Sequence, residues 1–339
     1  ENGLQSYFIK RIETFVNGKG KKIIGWDEIL EGGLAPNATV MSWRGTQSAI
    51  DAAKEGHDVI LTPNSHAYFD YYQSENQTEP LAIGGFIPLK KVYGFNPVPK
   101  ELNEKETQFV LGAQGNVWTE YIETESQVEY MVFPRILAMS EVIWRGVTEN
   151  IEVDYKDFVS RLESFMARMD ALHINYANHL YEIEGKIQKK DGNVFYTLTT
   201  PTEGKEIRYS INDSAFKKNT TPIPIRSNCI IKANVFKNDK KVGENFTEEI
   251  LYHKGLNAKV SINIPPHPAY GAGGVEALIN GINGSDSRYG DKEWLGFWGD
   301  DVEITIDFGE ELQLKQITTR YYNAPGQWIY APKFIEVED

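Results

Sequence analysis

Cysteine is nearly missing from the sequence: 339 residues contain one, Cys229. No internal disulfide can form, and a cysteine-based metal centre is excluded. Cys229 lies in the apolar run Cys229-Ile230-Ile231, where a buried structural thiol is expected. No apolar stretch approaches the roughly 20 residues needed to span a bilayer, and no signal-peptide pattern is read at the start, which is Glu-Asn-Gly-Leu rather than Met. Basic residues are in deficit, with 35 Lys and Arg against 48 Asp and Glu, a net charge of −13. An acidic surface argues against nucleic acid or anionic membrane as the main partner. Aromatic residues, by contrast, are plentiful: 7 Trp, 18 Tyr and 16 Phe. They suit a site that recognises flat apolar faces such as those of sugars, and they equally suit all-β cores.

The first 180 residues alternate helical and strand patterns. Leu4, Tyr7, Phe8, Ile12, Phe15 and Val16 recur at helical spacing, and Asn17-Gly18 ends that helix. Strands are predicted at 22–26, 38–43, 58–62 and 109–113, with a helix from Gln47 to Glu55 between the second and third. A long helix is predicted over 126–144 and another over 155–179. Strands alternating with helices imply parallel βα units. The loop between the third and fourth strands, with Gly84-Gly85, Pro88, Pro97 and Pro99, is long enough to suggest function. After Glu184 no helical period survives. Short β-type runs such as Val194–Leu198 alternate with turns such as Asn212-Asp213, the pattern of a small β-sandwich to about residue 254. A third segment, 256–339, is again β-like and rich in Gly and Trp.

In parallel βα units ligands bind beyond the C-terminal ends of the strands. Here those ends read Gly25-Trp26-Asp27-Glu28, Ser42-Trp43-Arg44-Gly45, His66-Ala67-Tyr68-Phe69-Asp70-Tyr71-Tyr72, and Gln114-Gly115-Asn116-Val117-Trp118-Thr119-Glu120. Each delivers a Trp or Tyr and three deliver a carboxylate. A single tryptophan there reads as core packing; repetition at four successive ends points to a sugar subsite, with rings stacking on C–H faces and carboxylates accepting from hydroxyls. The carboxylates Asp27, Glu28, Asp70 and Glu120 also fit the acid–nucleophile pair of a two-carboxylate glycosidase, with Glu28 and Glu120 as the pair.

The strings GWDEIL, MSWRG, YFDYYQ followed by GGFIPLKKVYGFNP, and GNVWTE followed by a helix ending SEVIWRG resemble glycoside hydrolase family 20, the β-N-acetylhexosaminidases. The resemblance covers about residues 1–146. It implies that 1–184 form the second half of a (β/α)8 barrel, and that the substrate is the terminal N-acetylhexosamine of a glycan. It implies a substrate-assisted retaining mechanism, in which the substrate's acetamido oxygen attacks the anomeric carbon. By the same resemblance Trp26, Trp43 and Trp118 wall the acetamido pocket, Tyr68 donates to the attacking oxygen, and Asp70 and Glu120 bind sugar hydroxyls. Asp27 and Arg44 match the pattern too and are assigned to structural support, as a buried ion pair or a cap. The family's catalytic Asp-Glu pair belongs to the strand before the first helix and is expected to be missing, so the chain alone is expected to be inactive. A half-barrel leaves open sheet edges and an apolar face, so a homodimer or association with the other half is expected. A non-catalytic carbohydrate-binding fragment is the alternative.

Residues 185–254 resemble the small sandwich that follows the barrel in this family, with Tyr209-Ser-Ile-Asn-Asp213 and Phe236-Lys-Asn-Asp-Lys240 as matching features. Residues 256–339 resemble a discoidin-like, galactose-binding-like jelly roll through Leu278-Ile-Asn-Gly281, Trp294-Leu-Gly-Phe-Trp298 and Val302–Gly309. They are fewer than eight strands need, so the domain is expected to be truncated. No cofactor is expected beyond a structural calcium ion that Asn283, Asp286 and Asp291 could approach. The resemblance to bacterial glycan-degrading proteins implies export to the periplasm or cell surface.

Overall fold

A computed structural model describes residues 2–338 except 75, 77, 78, 148, 272, 287, 288 and 290. The chain divides into two compact units, Glu1–Ala177 and Asn178–Asp339.

The first unit begins with helix α1 (Asn2–Asn17), followed by β1 (Ile24–Trp26), β2 (Thr39–Ser42), α2 (Gln47–Lys54), β3 (Val59–Leu61), α3 (Leu89–Tyr93) and β4 (Val110–Ala113). The four strands form one parallel sheet in the order β1-β2-β3-β4, with Trp26 opposite Met41, Ser42 opposite Leu61 and Leu61 opposite Ala113. Parallel pairing needs crossovers, and α2 supplies the one between β2 and β3. Its buried face is Ala49, Ile50, Ala52 and Ala53, which packs into one core with Val40, Val59, Leu61, Phe95 and Leu102. Three alanines in that face let the helix lie close to the sheet.

Helix α1 forms where its 3.6-residue period predicts it, yet its apolar stripe is not the face that packs. Ser6 and Glu13 are buried: Ser6 Oγ donates to the Gly33 carbonyl at 2.7 Å, and Glu13 Oε1 accepts the Asn37 amide at 2.6 Å. Leu4, Tyr7, Phe8, Ile12 and Phe15 are exposed.

The helix expected over 126–144 is two helices, α4 (Glu125–Val132) and α5 (Arg135–Arg145). The break is at Phe133-Pro134, because Pro134 has no amide hydrogen to continue the ladder. The helix expected over 155–179 is α6 (Ile151–Ala171), which starts earlier at its Asn150 N-cap and stops eight residues sooner. Glu141 joins α5 to α6 through Arg161 (2.7 and 2.8 Å) and accepts the Tyr93 hydroxyl from α3 at 2.9 Å.

The second unit opens with the expected sandwich. Strands β5 (Glu184–Lys190), β6 (Asn193–Thr199), β7 (Glu206–Ile211), β8 (Lys217–Lys218), β9 (Ile223–Ile225), β10 (Cys229–Lys237) and β11 (Lys240–Ile250) build two antiparallel sheets, β5-β6-β9 and β11-β10-β7-β8. Both sheets contribute to one core, including Val194, Tyr196 and Leu198 from β6 and Cys229, Ile231, Ala233 and Val235 from β10. This is the period-2 burial of half-solvated strands. Tight hairpins turn at Asp191-Gly192 and Asn238-Asp239, where positive φ at both residues suits two-residue loops. Cys229 is the buried thiol expected, and burial pushes its pKa up.

Beyond residue 256 the described residues hold two strands, β12 (Lys259–Ile262) and β13 (Ile304–Asp307), paired antiparallel. The eight strands of a jelly roll are not seen there. Of the residues weighed for calcium, Asp286 pairs with Arg320 and Asp291 accepts the Ser285 amide at 2.8 Å. Among the described residues no group of three or more His, Cys, Asp or Glu side chains could hold a metal ion, and no helix is long and apolar enough to cross a membrane.

Candidate active site

The site grows from the C-terminal ends of β1–β4. After β1 the chain folds into a 3-10 turn, Asp27–Leu30. Gly25 is required there: a Cβ at that position would lie 2.7 Å from Ile29 Cγ2, which the turn brings back over the strand. Hydrogen bonding continues past β3 and β4. The Phe69 amide donates to the Asn116 carbonyl and the Asn116 amide to the Ala67 carbonyl, both at 2.7 Å, bridging Tyr68 to Asn116. Gly115 permits the approach, since a Cβ would stand 2.6 Å from the Phe69 ring.

These extensions bring Trp26, Glu28, Trp43, Tyr68 and Trp118 round one pocket of about 240 Å³. Trp26 and Trp118 face each other with ring centres 5.9 Å apart and planes tilted by 47°. Trp43 and Tyr68 are 6.4 Å apart, and Tyr71 packs 5.5 Å behind Tyr68. Trp26 and Trp118 are 37% and 43% exposed, so part of each ring is open to a ligand. The three tryptophans and Tyr68 picked out in the sequence thus converge.

Tyr68 is buried, and burial pushes its phenol pKa up against the pull of the Asn116 and Trp118 side chains. It therefore keeps its proton at neutral pH and can donate it. Asp70 is buried as well. Burial raises its pKa, partly offset by backbone amides of Asp70 and Trp118, and the negative charge of Glu120 raises it further. Among the described residues no donor reaches its Oδ1. Glu120 is exposed.

Asp27 and Arg44 form the expected ion pair, Nε to Oδ1 at 2.6 Å. Asp27 is fully buried, whereas the Arg44 side chain is 41% exposed, so the pair is buried on one side only. Asp27 Oδ2 also accepts the amides of Trp43 (3.0 Å) and Arg44 (3.1 Å).

Arg135 is a scaffold residue that sequence reasoning missed. It is wholly buried and donates to the carbonyls of Phe69, Tyr71, Ile87 and Met131. Phe69 and Tyr71 flank Asp70, so Arg135 fixes the loop that carries Tyr68 and Asp70. An arginine in an amphipathic helical pattern reads as solvent-facing, so only its place directly after the helix-breaking Pro134 hinted otherwise.

Comparison with known proteins bears on the same residues. Residues 1–147 match the model of the glycosyl hydrolase family 20 catalytic domain. A beta-hexosaminidase of Porphyromonas gingivalis is 50% identical over 186 residues, 55% of this chain and 24% of that protein. An N,N'-diacetylchitobiase of Vibrio harveyi is 27% identical over 232 residues, 58% of this chain and 26% of its own length. The chain thus spans about a quarter of these curated relatives. Among solved structures, a GH20 exo beta-N-acetylglucosaminidase from Vibrio harveyi in complex with N-acetylglucosamine aligns with 52% of this chain and 27% of its own, at 28% identity and a TM-score of 0.45.

Proposed function

Starting from the match of residues 1–147 to the glycosyl hydrolase family 20 catalytic domain, we propose that this chain carries the acetamido-binding part of a β-N-acetylhexosaminidase. The observation that carries the reading is the pocket of about 240 Å³ walled by Trp26, Trp43, Tyr68 and Trp118. An acetamido group is small, flat and partly apolar, and a box of indoles holds it in one orientation. In a substrate-assisted reaction that orientation keeps the carbonyl oxygen close to the anomeric carbon it attacks, a proximity effect. The protonated Tyr68 hydroxyl donates to that oxygen, limiting it to the attacking geometry. Asp70, whose Oδ1 has no donor among the described residues, and the exposed Glu120 take hydroxyls of the non-reducing sugar.

The reaction also needs a group that protonates the leaving oxygen. In this reading that acid, with its neighbouring aspartate, comes from barrel sequence outside residues 1–339, and the chain by itself does not turn over. The open edges of β1 and β4, the exposed Leu111 on β4 and the exposed stripe of α1 support association with that other half or with a second copy. A monodisperse monomer in light scattering would count against this. Export to the periplasm or cell surface is part of the proposal and rests on the resemblance alone.

The deciding assay is hydrolysis of a chromogenic β-N-acetylglucosaminide by the 339-residue chain, with the β-glucoside as control. Activity on neither sugar, restored for the acetamido sugar alone when upstream barrel sequence is added, is the expected result. Equal activity on both sugars sinks the substrate-assisted reading and promotes the two-carboxylate one. Against the latter stands the engagement of both Glu28 carboxylate oxygens by the Trp43 indole.

A second reading, carbohydrate binding by residues 256–339 as a discoidin-like module, is favoured by one observation. Trp298 is 80% exposed and stacks on His267 with ring centres 5.4 Å apart. Such a platform suits a pyranose face. Under this reading Trp298→Ala abolishes retention on immobilised glycan while Trp43→Ala does not.

A further inference from the structure

We infer that Glu28 is a positioning residue that fixes the Trp43 indole as a wall of the pocket, an inference that rests on the acetamido reading above. Trp43 Nε1–H is shared between the two carboxylate oxygens of Glu28, at 3.0 and 3.1 Å. At its other end Trp43 is held through its amide by Asp27 Oδ2 at 3.0 Å. Two adjacent carboxylates therefore grip one residue at backbone and ring. The 3-10 turn makes this possible, because its three residues per turn send successive side chains about 120° apart. Asp27 goes into the interior, with no exposed surface, while Glu28 lines the pocket.

An indole N–H has no accepting capacity and one proton to place. Trp43 is only half-buried, so water can take over its N–H when Glu28 is removed, but water does not fix the ring as a charged acceptor does, whose bond is about twice as strong as a neutral one. Trp43 turns about only two side-chain torsions. With the amide and the ring edge both held, its plane is set before any ligand arrives. A pre-set indole avoids the entropy cost of ordering a free side chain on binding. Glu28 thus acts on the sugar through Trp43, by keeping the wall upright in the empty site. The same bond accounts for an acidic residue in a pocket otherwise walled by aromatic rings, with no need for it to transfer a proton.

The test uses the full 339-residue chain and its Glu28→Ala and Glu28→Gln variants. The Trp43 indole N–H is followed by 15N NMR, assigned with Trp43→Phe, while N-acetylglucosamine is titrated in and the melting temperature is recorded. Glu28→Ala should shift the Trp43 indole resonance upfield and weaken N-acetylglucosamine binding about tenfold, with little change in melting temperature. Glu28→Gln keeps an acceptor oxygen and should recover most of the affinity; it also serves if the alanine variant fails to fold. An unmoved indole resonance in both variants overturns the inference. So does a lowered melting temperature with unchanged affinity, the signature of a purely structural role. Wild-type chain that binds no N-acetylglucosamine overturns the pocket reading itself, whereas wild-type binding left intact by Glu28→Ala overturns only the role of Glu28.

Discussion

Arg135 donates from Nη2 to the Phe69 carbonyl at 2.5 Å while its guanidinium lies 5.1 Å from the centre of the Phe69 ring. One cation thus satisfies a loop carbonyl and packs on the neighbouring ring. Burial pulls its pKa down to about 9, against the charges of Glu79 and Asp70, so it remains a cation at neutral pH. Arg135→Met would strand four carbonyls and should cost at least about 3 kcal/mol of unfolding free energy, read by urea denaturation of the first unit. Arg135→Lys, with a compact ammonium in place of the planar fork, should recover only part. A loss below about 1 kcal/mol for the methionine variant would show that the loop does not depend on it.

In the proposed reading Asp70 sets sugar binding against stability. Its folded pKa lies above 3.8 because burial disfavours its charge. The unfolded carboxylate ionises first as pH rises, so this group's contribution to stability falls between 3.8 and the folded pKa and stays low above it. Asp70→Asn should therefore stabilise the chain at pH 7, by about 1 kcal/mol, while weakening binding of N-acetylglucosamine. Wild-type binding should in turn decline on acidification as Asp70 protonates. Asparagine that destabilises the fold, or pH-independent binding, would contradict this.

His66 gives the opposite slope. Burial lowers its pKa below 6.5, and the charge of Lys91 adds to that. The folded state holds it neutral, so as pH drops through 6.5 the unfolded chain takes up the proton first and stability falls until the folded pKa is reached. A His66→Gln variant should lose this component of the acid sensitivity of the first unit, seen in melting temperatures between pH 7 and 5. An unchanged slope would mean that His66 titrates alike in both states.

The facing pair Trp26 and Trp118 should be separable from the fold because both rings are partly exposed. Trp118→Ala should reduce N-acetylglucosamine affinity tenfold or more, about 1.4 kcal/mol. Its effect on glucose binding, which brings no acetamido group, should be small. Calorimetric titration with the two sugars decides it, and equal losses for both would assign Trp118 to general stacking.

Much of this was legible along the chain, for reasons that differ by element. The four parallel strands announce themselves because buried strands read as short apolar runs, and Trp26, Trp43, Tyr68 and Trp118 follow them at fixed places. That Trp26 faces Trp118 while Trp43 faces Tyr68 depends on sheet order and on the bridge from Tyr68 to Asn116, which no linear spacing encodes. The helical period across 126–144 runs through the Pro134 break because the buried Met131 of α4 and the buried Ala138 and Val142 of α5 fall at helical spacing in one continuous pattern, so periodicity alone does not reveal two helices. In α1 the period predicts the helix but not its buried side. Ser6 and Glu13 bind main-chain groups of the 33–37 segment, a long-range match that spacing along the helix does not encode.

The outward stripe of α1 has a thermodynamic consequence for any solution study. Leu4, Tyr7, Phe8, Ile12 and Phe15 present hydrocarbon to water, so whatever covers them gains the free energy of their dehydration. Any self-association that draws on this stripe is then linked by mass action to protein concentration. If association also shifts the pocket between states, sugar affinity measured at micromolar and at millimolar chain will differ. The dilution series belongs to the description of the site as much as the titration does.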